Sequence, residues 1–278
     1  MQVFERKADL TQFVDQIKAE SKSIGFVPTM GALHAGHILL VTEAKKQADV
    51  VVASIFVNPI QFNNAEDLKK YPRTFDSDRK MLEEAGCDIV FFPSVEEMYP
   101  EEEIEESYDF GALEKVMEGA ARPGHFNGVA VVVKRLFDLV RPDKAFFGKK
   151  DFQQLAIIRA LVKQMASPVK IIGLDTVREK DGLAMSSRNR RLSEVQREQA
   201  VELSQVLNFI KQNKNKSRPE ELEKEASRKL AHNFKVEYIQ IVDGNSLQPI
   251  SDWSQSDYPV ACAAAFLGDI RLIDNLEL

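Results

Sequence analysis

Two histidines three residues apart, His34 and His37, close the segment FVPTMGALHAGH at positions 26–37, where an apolar run meets a glycine-containing turn and then a helical pattern. Histidines so spaced on a first helical turn share one face. The amide hydrogens and the positive dipole end of a helix start lie on the same side. The arrangement therefore suits an anion, a triphosphate above all, with both imidazoles donating hydrogen bonds. A second stretch, KAFFGKKDFQQ at 144–154, ends a strand at Gly148 and delivers Lys149, Lys150 and Asp151 to its carboxyl edge. In an open parallel sheet that edge is where ligands bind. A lysine there can meet phosphate oxygens as a point charge, and a carboxylate can accept from ribose hydroxyls. Read alone, the same three residues also fit a solvated helix cap.

DGLAMSSRN at 181–189 supplies two hydroxyls and a guanidinium. It is either a mobile loop that closes over a nucleotide triphosphate or a polar interdomain linker. Asn58 and Gln61 follow an apolar run, and Gln153 and Gln154 follow the KKD. Such amides can pair with a hydroxyl and a carboxylate of a small acid without adding charge, although loop glutamines often bind nothing. Arg122 and His125 lie in ARPGHFNG, which reads equally well as a turn with a helix N-cap at Asn127. Residues 96–106 hold seven glutamates and read as a solvated loop, while Trp253 reads as a partly buried anchor.

The elements that must hold these groups follow from periodicity. Five apolar, β-branched runs predict strands over Ile24–Val27, Val50–Val57, Ile89–Phe92, Ala145–Phe147 and Val169–Ile172. Helical patterns over Gly36–Ala48, Phe75–Ala85, Gly128–Val140 and Phe152–Gln164 alternate with them. Alternation of this kind predicts an α/β fold with a Rossmann-like parallel sheet. Beyond about residue 176 the pattern changes. Ser193 and Gln196 form a capping box before a helix carrying Leu203, Val206, Leu207 and Ile210, a second helix covers Glu220–Leu230, and strands are expected over Val236–Val242, Val260–Phe266 and Arg271–Ile273. We therefore expect domains at 1–176 and 177–278, the second a smaller C-terminal α+β domain closing over the nucleotide triphosphate site.

Composition excludes several classes. With 37 Lys and Arg against 43 Asp and Glu, the net charge of −6 gives no field for a nucleic-acid backbone, so any anion needs a local site. The longest apolar stretch, Val50–Val57, is far short of the roughly 18 residues of a membrane span, and MQVFERKADL lacks the features of a signal peptide. Two distant cysteines, Cys87 and Cys262, show no metal-ligand spacing and are expected to be buried thiols of a cytoplasmic protein.

PTMGALHAGH, SIFVNPIQF, YPRTFDSD, RPGHFNGV, FGKKDFQQ and DGLAMSSRN stand in the order and at the separations of the pantothenate synthetase family, which the chain resembles over essentially its whole length, RLIDN at 271–275 included. H-x-G-H alone would indicate only the wider nucleotidyltransferase superfamily. The resemblance implies an ATP-dependent ligase joining pantoate to β-alanine through a pantoyl adenylate, with magnesium accompanying ATP and a homodimer as the assembly. It also implies roles. Met30, Gly31, Ala32 and Leu33 with His34, Ala35, Gly36 and His37 would cover the triphosphate, His37 as proton donor and His34 stabilising charge. Lys150 would be the phosphate-binding lysine, with Gly148, Lys149 and Asp151 beside the nucleotide. Val177, Met185, Ser186, Ser187 and Arg188 would belong to the closing segment, and Gln61 and Gln154 would hold pantoate with Asn58 nearby. Three residues depart from the family pattern: Lys149 where an acidic or amide residue is usual, Phe152 for Tyr, and Asp175 for Pro. The competing readings are a nucleotidyltransferase that leaves the nucleotide on its product and a nucleotide-binding regulatory module.

Overall fold

The computed structural model describes residues 1–100 and 106–278; the part of the acidic run at 101–105 lies outside the described residues. From the N-terminus come β1 (Gln2–Phe4), α1 (Lys7–Ala19), β2 (Ile24–Thr29), α2 (Ala35–Gln47), β3 (Val50–Ile55), α3 (Ala65–Lys70), α4 (Phe75–Glu84), β4 (Ile89–Phe91) and α5 (Val95–Met98). Then follow α6 (Met117–Ala121), α7 (His125–Val140), β5 (Lys144–Gly148), α8 (Phe152–Gln164) and β6 (Lys170–Leu174). The chain ends with α9 (Glu194–Gln199), α10 (Glu202–Asn213), α11 (Pro219–Leu230), β7 (Lys235–Asp243), β8 (Pro259–Leu267) and β9 (Ile270–Glu277).

These elements form two compact units, one of Met1–Phe110, Pro123–Lys149 and Ile157–Asp175, the other of Gly111–Arg122, Lys150–Ala156 and Thr176–Leu278. In the first unit six parallel strands run in the order β1-β4-β3-β2-β5-β6. This is the expected Rossmann-like sheet with one strand more. β1 was not foreseen because three residues are too few to show a period. The strand order reverses at β2, whose neighbours are β3 and β5, so the crevice of this sheet lies beyond the carboxyl ends of β2 and β5. β3 is buried almost throughout, as a run apolar at every position but Ser54 requires.

α7 begins three residues earlier than the sequence suggested. Gly124 takes the left-handed conformation at φ +79° and serves as N-cap, so Asn127 lies inside the helix, where its Oδ1 accepts the Tyr108 N–H at 2.9 Å.

In the second unit β7, β8 and β9 form an antiparallel sheet. β8 is the middle strand. Its Ala261, Ala263, Ala265 and Leu267 join a core with Leu203, Leu207, Ile210 and Leu222 from α10 and α11, while Val260 and Cys262 join a separate cluster with Met117 and Leu247. The single helix expected from Ser193 onward is two helices, because i→i+3 bonds from Leu203 N–H to Ala200 O and Ser204 N–H to Val201 O tighten the chain between α9 and α10. The Ser193–Gln196 capping box is present at the start of α9. Trp253 is half-buried against this core and donates to Ser217 O at 2.9 Å. Cys87 and Cys262 are buried free thiols, and burial pushes Cys87 up to about 12. Among the described residues no helix is long and apolar enough to cross a membrane.

Candidate active site

β2 ends at Thr29, whose hydroxyl donates to Ser54 O at 2.7 Å and accepts the Gly31 N–H at 3.2 Å. The chain then turns through Gly31 at φ +81° and Ala32 at φ +50°, both left-handed. Asp78, on α4 and without solvent exposure, holds this turn: its two carboxylate oxygens accept the Ala32 and Leu33 N–H groups at 2.8 Å each. The Thr74 hydroxyl donates to the same carboxylate at 3.2 Å. The sequence reading passed over Asp78. The available signal was its place four residues before Leu82, on the inward face of an amphipathic helix.

His34 is the N-cap of α2, and the two histidines cap each other. The His34 Nδ1 accepts the Gly36 N–H at 3.1 Å, and the His37 Nδ1 accepts the His34 N–H at 3.3 Å. A neutral imidazole that accepts at Nδ1 carries its proton at Nε2. Both rings, 4.1 Å apart between centroids, are therefore Nε2–H donors at the positive end of a 13-residue helix with no acidic residue in its first turn.

Beyond β3, Gln61 ends a 3-10 turn and is buried, its Nε2 donating to Met30 Sδ at 3.1 Å. Asn58 is buried behind it. The Asn58 Nδ2 donates to Gln61 Oε1 at 2.9 Å and to Gly128 O at 3.1 Å, while its Oδ1 accepts from the Tyr99 hydroxyl at 2.7 Å. Asn58 thus fixes the Gln61 amide from behind. His125 fixes the backbone, its Nδ1–H donating to Gln61 O at 2.8 Å. Of the two other glutamines, Gln153 is buried and ties Glu118 N–H, Leu113 O and Val116 O together, whereas Gln154 is half-buried.

At the end of β5, Gly148 faces open space where a side chain would project. Lys149 N–H donates to Leu174 O at 2.7 Å, and its ammonium pairs with Asp175 at 2.7 Å, so two of the residues that depart from the family pattern hold each other. Lys150, Asp151 and Gln154 belong to the second unit, with the Lys150 ammonium 3.6 Å from Asp151 Oδ1. Its carbonyl accepts from Asn275 Nδ2 at 2.8 Å. The neighbouring Asp274, almost fully buried, takes the Arg178 guanidinium at 2.7 and 2.9 Å. These two residues of RLIDN thereby hold both Lys150 and the segment after β6.

That segment is neither a free loop nor a plain linker. Met185 N–H bonds Val177 O at 2.9 Å, Arg178 bridges to Ala184, and Leu183 enters the core of the second unit. Ser186 then caps the 3-10 turn Ser187–Arg191, its hydroxyl accepting the Arg188 N–H at 3.3 Å.

Arg122 and Arg188 are both in the second unit, and so is Glu118, which takes Arg271 through both oxygens at 2.8 and 2.6 Å and the Tyr238 hydroxyl at 2.7 Å. Burial opposes charge on Glu118, but Arg271, Tyr238 and Arg122 together outweigh it and hold the carboxyl below its ordinary 4.5, at about 2. A depressed carboxyl stabilises the fold above its unfolded pKa and loses that contribution as the pH falls through the folded one. The window here runs from about 4.5 down to about 2. Acid titration of unfolding is expected to show about 3 kcal/mol lost across it, and Glu118→Gln to lose a similar amount at neutral pH and to flatten the curve. A parallel curve in the variant would remove Glu118 from the balance.

Met30 to His37, Asn58, Gln61, Gly148 and Lys149 are thus carried by the first unit, and Lys150, Asp151, Gln154, Val177 and Met185 to Arg188 by the second. A family model described as Pantoate-beta-alanine ligase matches residues 2–277. The chain belongs to the pantoate-beta-alanine ligase family. Relatives named pantothenate synthetase from Porphyromonas gingivalis and Bacteroides thetaiotaomicron are each 49% identical to it, with 100% of this chain and 99% of theirs covered. The crystal structure of pantothenate synthetase from Thermus thermophilus superposes with a TM-score of 0.93 at 42% identity, covering 100% of this chain and 99% of that one. A pantoate-beta-alanine ligase from Francisella tularensis, solved in complex with beta-gamma ATP and beta-alanine, superposes with a TM-score of 0.84 at 33% identity, covering 100% and 97%.

Proposed function

We propose that the protein ligates pantoate to β-alanine at the expense of ATP, through a pantoyl adenylate. The observation that carries this reading is the reciprocal cap that leaves His34 and His37 as two Nε2–H donors at the start of α2. Membership of the family and the nucleotide and β-alanine held by the Francisella relative support it.

In the first step a pantoate carboxylate oxygen attacks the α-phosphorus and the bond to pyrophosphate breaks. Charge spreads over phosphate oxygens, so the protein needs fixed donors and cations more than a nucleophile of its own. His37 and His34 donate hydrogen bonds from Nε2 to the phosphates, His37 to the departing oxygen, whose charge pyrophosphate carries away. Lys150 adds a point charge, with Gly148, Lys149 and Asp151 on the nucleoside side and Val177 and Met185 to Arg188 closing over the nucleotide. Gln61, held by Asn58, and Gln154 bind pantoate. In the second step the free amine of β-alanine attacks the acyl carbon, the bond to AMP breaks and the nitrogen gives up a proton. Magnesium, a hard cation that prefers oxygen, accompanies the ATP phosphates as part of the substrate. We place the enzyme in the cytoplasm as a homodimer.

The test follows labelled pyrophosphate. With ATP, magnesium and pantoate but no β-alanine, label is expected to exchange into ATP while AMP stays bound or appears slowly by hydrolysis. Addition of β-alanine then releases AMP and pantothenate together. Exchange that requires β-alanine would replace the adenylate by a concerted route, and a product still carrying the nucleotide would make the protein a nucleotidyltransferase.

A further inference from the structure

The geometry points to Asp78 as the residue that positions the histidine pair, fixing the turn before α2 so that both rings stay in their Nε2–H form. This deepens the reading of His34 and His37 as phosphate donors and rests on it.

Three consecutive backbone N–H groups cross this turn, and each has an assigned acceptor. Those of Ala32 and Leu33 go to the two oxygens of Asp78 at 2.8 Å, and that of His34 goes to Nδ1 of His37 at 3.3 Å. Consecutive N–H groups after left-handed residues form a concavity suited to an anion, and here the protein's own carboxylate fills it. Ala32 needs such a hold, because φ +50° is a conformation that a side chain disfavours. Gly31 makes room for it: at φ +81°, a Cβ there would lie 3.1 Å from Asp78 Oδ2 and 3.1 Å from Ile55 Cγ2. If the first two N–H groups lose their acceptor, the peptide that aims the third is free to rotate. His37 Nδ1 then loses the bond that selects its tautomer, and the partner ring, held by Gly36 two residues on, shifts with the cap.

Asp78→Asn keeps the shape but offers one acceptor, and its NH2 faces the second N–H. The chain has four histidines, which makes the effect readable by NMR of protein labelled with 15N in histidine. In the wild type His34 and His37 are expected protonated at Nε2, whereas His125, which donates from Nδ1, has the opposite form and the exposed His232 serves as reference. In Asp78→Asn the signals of His34 and His37 are expected to change to a tautomer mixture while those of His125 and His232 stay put. Pyrophosphate exchange should fall about 10- to 100-fold with KM for pantoate unchanged. Thr74→Val, which removes the hydroxyl from the same carboxylate, should show the same change in smaller degree, and serves if the first variant does not fold. A folded Asp78→Asn or Thr74→Val protein with all four signals as in the wild type overturns the proposal. Altered tautomers with undiminished exchange would leave Asp78 as the positioning residue and remove the histidines from the chemistry.

Discussion

Alanine at position 37 is expected to slow formation of the adenylate by roughly 10²- to 10³-fold, equivalent to about 3 to 4 kcal/mol, the usual effect of deleting one preorganised donor to developing charge. His37 has a second task, because its Nδ1 accepts the His34 N–H and completes the cap of α2. The two tasks separate in His37→Gln. A glutamine at this position of a capping box can accept the same N–H, so stability should return to the wild-type level while the rate does not. Single-turnover release of pyrophosphate gives the rate, and thermal unfolding gives the cap, worth about 1 kcal/mol. Near-normal turnover in His37→Ala would take the ring out of the reaction, and a protein that no longer folds would make it a structural residue.

Lys150→Ala is expected to lower adenylation by a similar factor, about 10² to 10³. The contact that places this residue is made by its backbone carbonyl to Asn275, so the substitution should leave the second unit intact. Its ammonium is mostly covered and has Asp151 at 3.6 Å, a contact too long for a strong hydrogen bond. Lys150→Arg keeps the charge but replaces a compact point with a planar fork, and should recover only part of the rate. Full activity in either variant, measured by pyrophosphate exchange at saturating ATP, would place the phosphate-binding cation elsewhere.

Five of the six parallel strands, the helices α2, α4, α7 and α8, and the histidine pair were legible because each leaves a periodic or compositional trace, whereas α1 was passed over although Leu10, Val14 and Ile17 line its buried face. β3 shows as an apolar run interrupted by Ser54 alone, and α8 as a helical stripe with the same bounds that the structure gives. Other features leave no such trace. The roles of Gln153 and Gln154 diverge although the residues are adjacent, since only the first turns inward to the backbone of Leu113 and Val116, 40 and 37 residues away. Asp78 looked like one more acidic residue in the first turn of α4 until its partners on another loop were known. The start of α7 depended on a left-handed glycine, and sequence spacing does not report the sign of φ. Long-range hydrogen bonds and backbone conformation, more than propensity, decided what the sequence withheld.

The short first strand bears on the order in which the protein can be made. Among the described residues β1 pairs only with β4, Gln2 opposite Ile89 and Phe4 opposite Phe91. At about 5 to 20 residues per second, a ribosome adds the partner roughly 4 to 17 seconds after the N-terminal residues. During that interval β1 has no strand to join, and only three residues carry unpaired backbone groups. So short an edge offers little template for a wrong partner. β1 therefore joins its sheet only after β2, β3 and β4 have been synthesised, and the brevity of this first strand limits what can go wrong while the chain waits.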